Sequence, residues 1–257
     1  MIQTADPAVY TPNSYPTSDG KPMAETDLHR ELMVELIETL KLWFADSPST
    51  YVSGNLLVFY EKGNRRRHIA PDAFVVPGVG NHIRDNYLLW EEGRGLDAVI
   101  ELTSKTTMRE DVVKKRDLYL QKLGVKEYFL FDPREEYLKP SFQAFRRLGN
   151  RFVSIKPIGG RIPSKVMGLH LERSGKQLRL WDPQAKLRVL TPTERRAAEA
   201  ARADQADARA DEEATRANEE AIRANEEAAR AQQAEAEVAR LRYLLEQRNH
   251  SNGKNGK

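Results

Sequence analysis

Cysteine is absent from the 257 residues. That excludes disulfides and thiolate metal sites, and it fits a reducing compartment. Long hydrophobic runs are missing too. No stretch approaches the roughly 20 apolar residues that span a bilayer. The first residues show no basic segment followed by an apolar one, so no secretory signal is expected. The expectation is a soluble, cytoplasmic protein with no membrane contact. A strong charge of one sign is also lacking. A net charge of +3 and a pI near 9 form a weak basic signal, which does not by itself indicate a nucleic-acid partner.

The chain exceeds one small domain without requiring two. Residues 1–22 contain four prolines, Pro7, Pro12, Pro16 and Pro22. They read as a flexible N-terminal arm with no core of its own; Tyr10 and Tyr15 are the side chains that could dock it. Residues 23–190 have the mixed composition of a globular domain. Its first helix is expected over about 23–44. Leu28, Leu32, Leu36, Leu40 and Phe44 recur every four residues, and Val34 and Ile37 widen the stripe. Glu25 and His29 fall one turn apart near its start, on one face.

Ser47-Pro48-Ser49 breaks that helix. A strand is expected from Tyr51 to Tyr60, a turn at Glu61-Lys62-Gly63-Asn64, and a returning strand from Ile69 to Val76. The turn carries Lys62, Arg65, Arg66 and Arg67. This cluster suits phosphates and equally suits a solvated edge. Pro71 interrupts the returning strand and predicts a bend that re-aims Asp72. Val99-Ile100-Glu101-Leu102 predicts a strand with Val99 and Glu101 on one face, Ile100 and Leu102 on the other. An acid inside such a run needs a cation or must take up a proton.

A helix is expected over about 109–123, with Val112, Arg116, Tyr119, Leu120 and Leu123 inward and Gly124 ending it. Another strand follows at 127–131. Strand, helix, strand with short links favours parallel pairing. Four shorter runs between 141 and 181 read as an antiparallel extension of the same sheet. Residues 193–248 predict one long Ala-rich helix. Arg202, Arg209, Arg216, Arg223 and Arg230 recur every seven residues, as do Ala203, Ala210, Ala217, Ala224 and Ala231. Such a repeat fits a coiled coil or a solvated single helix. Residues 249–257 read as a disordered tail.

Asp72 and Glu101 are two hard oxygen donors, enough for a magnesium ion that keeps several waters. Lys115 lies one turn before Tyr119 and shares its helix face, so it can orient water or offset charge on a phosphate. Lys114 points about 100° away. These residues sit in an ordered series: Pro71-Asp72; Glu101-Leu102-Thr103-Ser104; Lys115-Arg116-Asp117-Leu118-Tyr119; Gly124-Val125-Lys126-Glu127-Tyr128; and Asp132-Pro133. The series, over roughly residues 23–190, resembles the Uma-two family of restriction-type endonucleases in the PD-(D/E)XK nuclease superfamily.

The resemblance implies an α/β fold. It would be a restriction-endonuclease-like core with a central mixed sheet flanked by helices, to which the long C-terminal helix is added. It implies a Mg-dependent endonuclease that hydrolyses phosphodiester bonds in DNA, with Mn able to substitute. Asp72 and Glu101 match the metal-binding acids and Lys115 the helix-borne lysine; Glu25 is the candidate to complete the metal shell. The chain departs from the superfamily pattern at Thr103, where a lysine is usual. A homodimer through the nuclease domain or the C-terminal helix is the expected assembly. Two other readings stand beside this one. One is a catalytically silent module that keeps the fold and binds nucleic acid, or a protein partner through the coiled coil. The other is a nuclease acting on RNA.

Overall fold

The computed structural model describes residues 15–18, 26–105 and 107–252, with side chains to residue 245. The chain divides into two units, Met1–Arg195 and Arg196–Lys257. The first is mixed α/β. Helix α1 (Asp27–Trp43) starts at Thr26, whose hydroxyl accepts the amide of His29 at 3.3 Å, the usual means of satisfying an orphan N–H. Of the expected stripe, Leu32, Leu36, Ile37 and Leu40 are buried, joined by Met33. Val34 faces solvent.

The central sheet has six strands in the order β1-β4-β6-β7-β8-β9. They are β1 (Thr50–Ser53), β4 (Ala73–Pro77), β6 (Ala98–Leu102), β7 (Glu127–Phe131), β8 (Phe142–Leu148) and β9 (Arg151–Ser154). Only β6 and β7 run parallel, and the remaining neighbours are antiparallel. A three-stranded sheet, β3-β2-β5, is built from β2 (Val58–Phe59), β3 (His68–Ile69) and β5 (Tyr87–Leu88), the last followed by the single turn α2 (Leu89–Glu92). A four-stranded antiparallel sheet holds β10 (Ile162–Pro163), β11 (His170–Ser174), β12 (Gln177–Asp182) and β13 (Leu187–Arg188).

Two expectations are corrected. The run from Tyr51 to Tyr60 is not one strand. It breaks at Gly54-Asn55, where Asn55 takes a left-handed φ of 49° and its amide bonds Pro71 O at 2.7 Å. The halves then join different sheets. The runs between 141 and 181 also part company: β8 and β9 extend the central sheet, while β11 and β12 form the separate one.

Strand alternation sorts the core into two faces. Ala98, Ile100 and Leu102 pack with α1 and with Leu171, Leu178 and Leu180 of the four-stranded sheet. Val99 packs on the other side with Tyr87, Tyr119 and Tyr128. The expected helix over 109–123 has two parts. Glu110–Lys115 is a π-helical turn, and α3 (Arg116–Gln121) continues it. Gly124, at φ 66°, lets the chain turn back towards β7 as only glycine does at no steric cost.

The start of the last helix, α4 (Pro192–Asn252), carries a capping box. Thr191 N donates to Glu194 Oε2 at 2.9 Å, and Glu194 N donates to Thr191 Oγ1 at 3.3 Å, satisfying two orphan amides. Arg179 holds the same Glu194 with both guanidinium NH2 groups. In the second unit α4 continues, with every residue from Glu199 to Leu245 exposed. Among the described residues no helix is long and apolar enough to cross a membrane.

Candidate active site

Three segments meet at the C-terminal end of β6. The antiparallel register Ala73↔Ile100 continues one step to set Asp72 opposite Glu101. The chain bends at Asp72, just after Pro71. Gly54 allows this approach: a Cβ there would lie 2.0 Å from Asp72 O. Asp72 Oδ2 accepts the amide of Leu102 at 2.7 Å, and its Oδ1 lies 3.3 Å from His29 Nε2. The amide of Asp72 reaches Glu101 Oε2 at 3.4 Å. The two acids are thus tied through backbone and side chain at adjacent strand positions.

Glu101 is fully buried. The Lys115 ammonium donates to its Oε2 at 3.0 Å, and the Tyr119 hydroxyl donates to its Oε1. Lys115 also forms an ion pair with Asp111 Oδ1 at 2.9 Å. Asp111 is buried in the π-helical turn, and its backbone carbonyl accepts Tyr128 OH at 2.9 Å. Glu101 and Asp111 therefore share one lysine, and Asp72 adds its charge to theirs. Lys114 is exposed.

The electrostatics follow from this crowding. Burial pushes the Glu101 carboxyl up to about 8; Asp72 and Asp111 add to the rise, and Lys115 and the Tyr119 hydrogen bond oppose it. Burial also raises Asp111, again against Lys115. For Lys115 burial alone would weaken its hold on the proton, but Glu101, Asp111 and Asp72 outweigh burial and keep it charged. Tyr119 is raised well above its usual value by burial and then by Glu101, so it stays a hydrogen-bond donor.

Among the described residues no group of three or more His, Asp or Glu side chains gathers to hold a metal ion. Asp72 and Glu101 are the two acids that offer hard carboxylate oxygens at this end of the strands. Two carboxylates are enough for magnesium. Glu25 lies outside the described residues. From α1, His29 reaches Asp72.

Sequence reasoning did not single out Asp111 and used Tyr119 only to set the phase of Lys115. The signal was present. Asp111, Lys115 and Tyr119 are spaced four residues apart, which stacks them on one helix face. A charged pair on the inward face of a helix is the same anomaly that drew attention to Glu101.

The family model of Uma2, described as "Putative restriction endonuclease", matches residues 11–151. Among solved structures the chain is similar to the "Crystal structure of a putative nuclease belonging to DUF820 from Anabaena variabilis ATCC 29413", with 19% sequence identity and a TM-score of 0.43. That similarity covers 59% of this chain and 80% of the other. No curated protein matches the chain.

Proposed function

The chain belongs to the Uma2 family of restriction-endonuclease-like proteins, and on that footing we propose that it is a magnesium-dependent endonuclease that hydrolyses phosphodiester bonds in DNA. One observation carries this reading. Three segments converge on Glu101 at one sheet end: the Asp72 backbone amide and the Lys115 ammonium both donate to its Oε2. Asp72 and Glu101 would hold the ion. When bound, it supplies a Lewis acid for the phosphoryl oxygen and an acidified water.

The protein's own contribution is orientation and charge. His29 and the Leu102 amide fix the two oxygens of Asp72. Tyr119 fixes the Glu101 carboxyl from the helix side. Lys115 places a positive charge where negative charge develops on the phosphate, which lowers the barrier without reorganisation at the moment of reaction. Burial of Glu101 keeps the local dielectric low and so strengthens each of these contacts.

A second reading, a silent module that binds nucleic acid or a protein, is favoured by a different observation. Both oxygens of Glu101 already have donors inside the protein. Cleavage of plasmid DNA with and without magnesium separates the two. Wild type should cut only with magnesium or manganese, Lys115→Ala should lose roughly 10²-fold or more, and Lys114→Ala should change little. Wild type that is inert with both metals on many DNA substrates gives the silent module the better claim.

A further inference from the structure

Asp111 is a buried acid of the π-helical turn Glu110–Lys115. It is 1% exposed, and the groups that favour its charge are few, the Lys115 ammonium and the Thr107 side chain. The turn around it is held through its backbone instead, by the amide to Thr107 O at 2.8 Å and by the carbonyl to Tyr128 OH. Burying a carboxylate on such terms costs stability; a neutral side chain of the same shape would relieve the repulsion among the acids while Glu101 still balances the Lys115 charge. The one ion pair it makes is with Lys115, 2.9 Å from Oδ1.

Lys115 explains the cost. An ammonium on a four-carbon stem has freely rotating donors and little intrinsic direction. With Glu101 as its only partner it could collapse onto that carboxylate and neutralise it. A second acid, reached by the widened π-helical turn Glu110–Lys115, draws the ammonium to a point shared by both. Such π-turns recur at functional sites.

We propose that Asp111 is a positioning residue, which holds the Lys115 ammonium in place between itself and Glu101 for the attacking water or the scissile phosphate. The inference rests on the nuclease reading for its purpose and on the ion pair for its geometry.

The test uses the full chain. Asp111→Asn keeps the shape and removes the charge; Asp111→Glu keeps the charge on a longer stem. Urea unfolding, plasmid cleavage and crystal structures of wild type and both variants are compared. Asp111→Asn should unfold at the same urea concentration as wild type or a higher one. Its kcat should fall roughly 10- to 100-fold, as misplacement of a reacting group by about 1 Å does, with KM nearly unchanged. Its Lys115 Nζ should leave the position it has in wild type, and Asp111→Glu should recover part of the rate. Earlier unfolding of Asp111→Asn, with activity lost only in step with the folded fraction, would make the acid structural and overturn the proposal. So would a wild-type kcat with Lys115 unmoved. If wild type itself cuts nothing, the nuclease reading fails separately, and the lysine position decides: unmoved in Asp111→Asn, it overturns the positioning role; displaced, it upholds it.

Discussion

Glu101 and Asp132 lie near the same ends of two parallel neighbours, β6 and β7, and both are fully buried. Their surroundings differ. Asp132 collects four backbone amides: Arg134 at 3.0 Å and Glu135 at 3.1 Å on Oδ1, Tyr137 at 2.6 Å and Leu138 at 3.0 Å on Oδ2. Glu127, at the other end of β7, is saturated in the same way by Arg146, the Ser164 hydroxyl and the amides of Lys165 and Val166. Glu101 also has donors on both oxygens, from Lys115, Tyr119 and the Asp72 amide, but two other acids lie in its field and raise it. Burial therefore does not separate the two kinds of acid. Removing Asp132 strands four backbone amides, whereas removing the charge of Glu101 relieves the repulsion of the acids crowded beside it.

The pair of substitutions Glu101→Gln and Asp132→Ala puts the largest effects on that contrast. Glu101→Gln should reduce magnesium-dependent cleavage by roughly 10²-fold or more and leave the urea midpoint at pH 8 unchanged or raised. Asp132→Ala should cost about 3 kcal/mol, because it orphans several amides together, with cleavage falling only as the folded fraction falls. Equal losses of stability in both variants would erase the distinction.

Gly54 serves the Glu101 end alone. A Cβ there would meet Asp72 O at 2.0 Å and Ile37 Cδ1 at 2.5 Å. The first contact is backbone and cannot swing aside. Gly54→Ala should cost about 1–3 kcal/mol, the usual range for overpacking, and should lower cleavage beyond what the unfolded fraction explains, since Asp72 must move. A variant with wild-type cleavage and wild-type stability would mean that Asp72 does not depend on this approach.

The sequence carried the main features of this end of the molecule. The period-four stripe of α1, the parallel pairing of β6 with β7 and the face shared by Val99 and Glu101 follow from spacing alone. So did the bend at Pro71, which a missing N–H makes costly to keep inside a ladder. What escaped was governed by contacts distant in the chain. The break at Gly54 exists because the Asp72 carbonyl sits against it, and no local pattern announces that neighbour. The π-helical turn has the same residue types as an ordinary helix. The departure of β11 and β12 into a second sheet is decided by packing against α1, which short strands of similar composition do not encode.

Acidity offers a sharper form of the contrast. The folded-state value of Glu101, about 8, lies above its ordinary 4.5. Below about pH 4.5 both folded and unfolded chains hold this proton, and the contribution to stability is complete. Between 4.5 and 8 the folded chain keeps a proton that the unfolded chain releases, so stability falls as pH rises. Asp111 acts in the same direction, while Lys115 stays protonated throughout. Without metal, the urea midpoint of wild type should fall from pH 5 to pH 8 and then level, and the slope should be shallower in Glu101→Gln. Parallel curves for the two proteins would show that Glu101 is ionised on folding and that its crowding has no energetic consequence.

The smallest effect concerns Thr103, which continues the ladder past Glu101 by donating its amide to Phe131 O at 2.7 Å. Two residues apart on one strand, the two side chains share a face. The Thr103 hydroxyl is buried and has no hydrogen-bond partner among the described residues, whereas every carboxylate oxygen of Asp132 and Glu127 is matched. An unsatisfied buried hydroxyl costs about 1–3 kcal/mol. Valine has nearly the same shape and suits an extended backbone. Thr103→Val should therefore stabilise the protein by about 1 kcal/mol, read as a higher urea midpoint with an unchanged slope. A loss of stability would mean that the hydroxyl already has a partner such as a bound water, and Thr103 would then be as well satisfied as Asp132 and Glu127. A gain in stability together with a drop in cleavage would place that hydroxyl, like the acids beside it, among groups kept for the reaction at the expense of the fold.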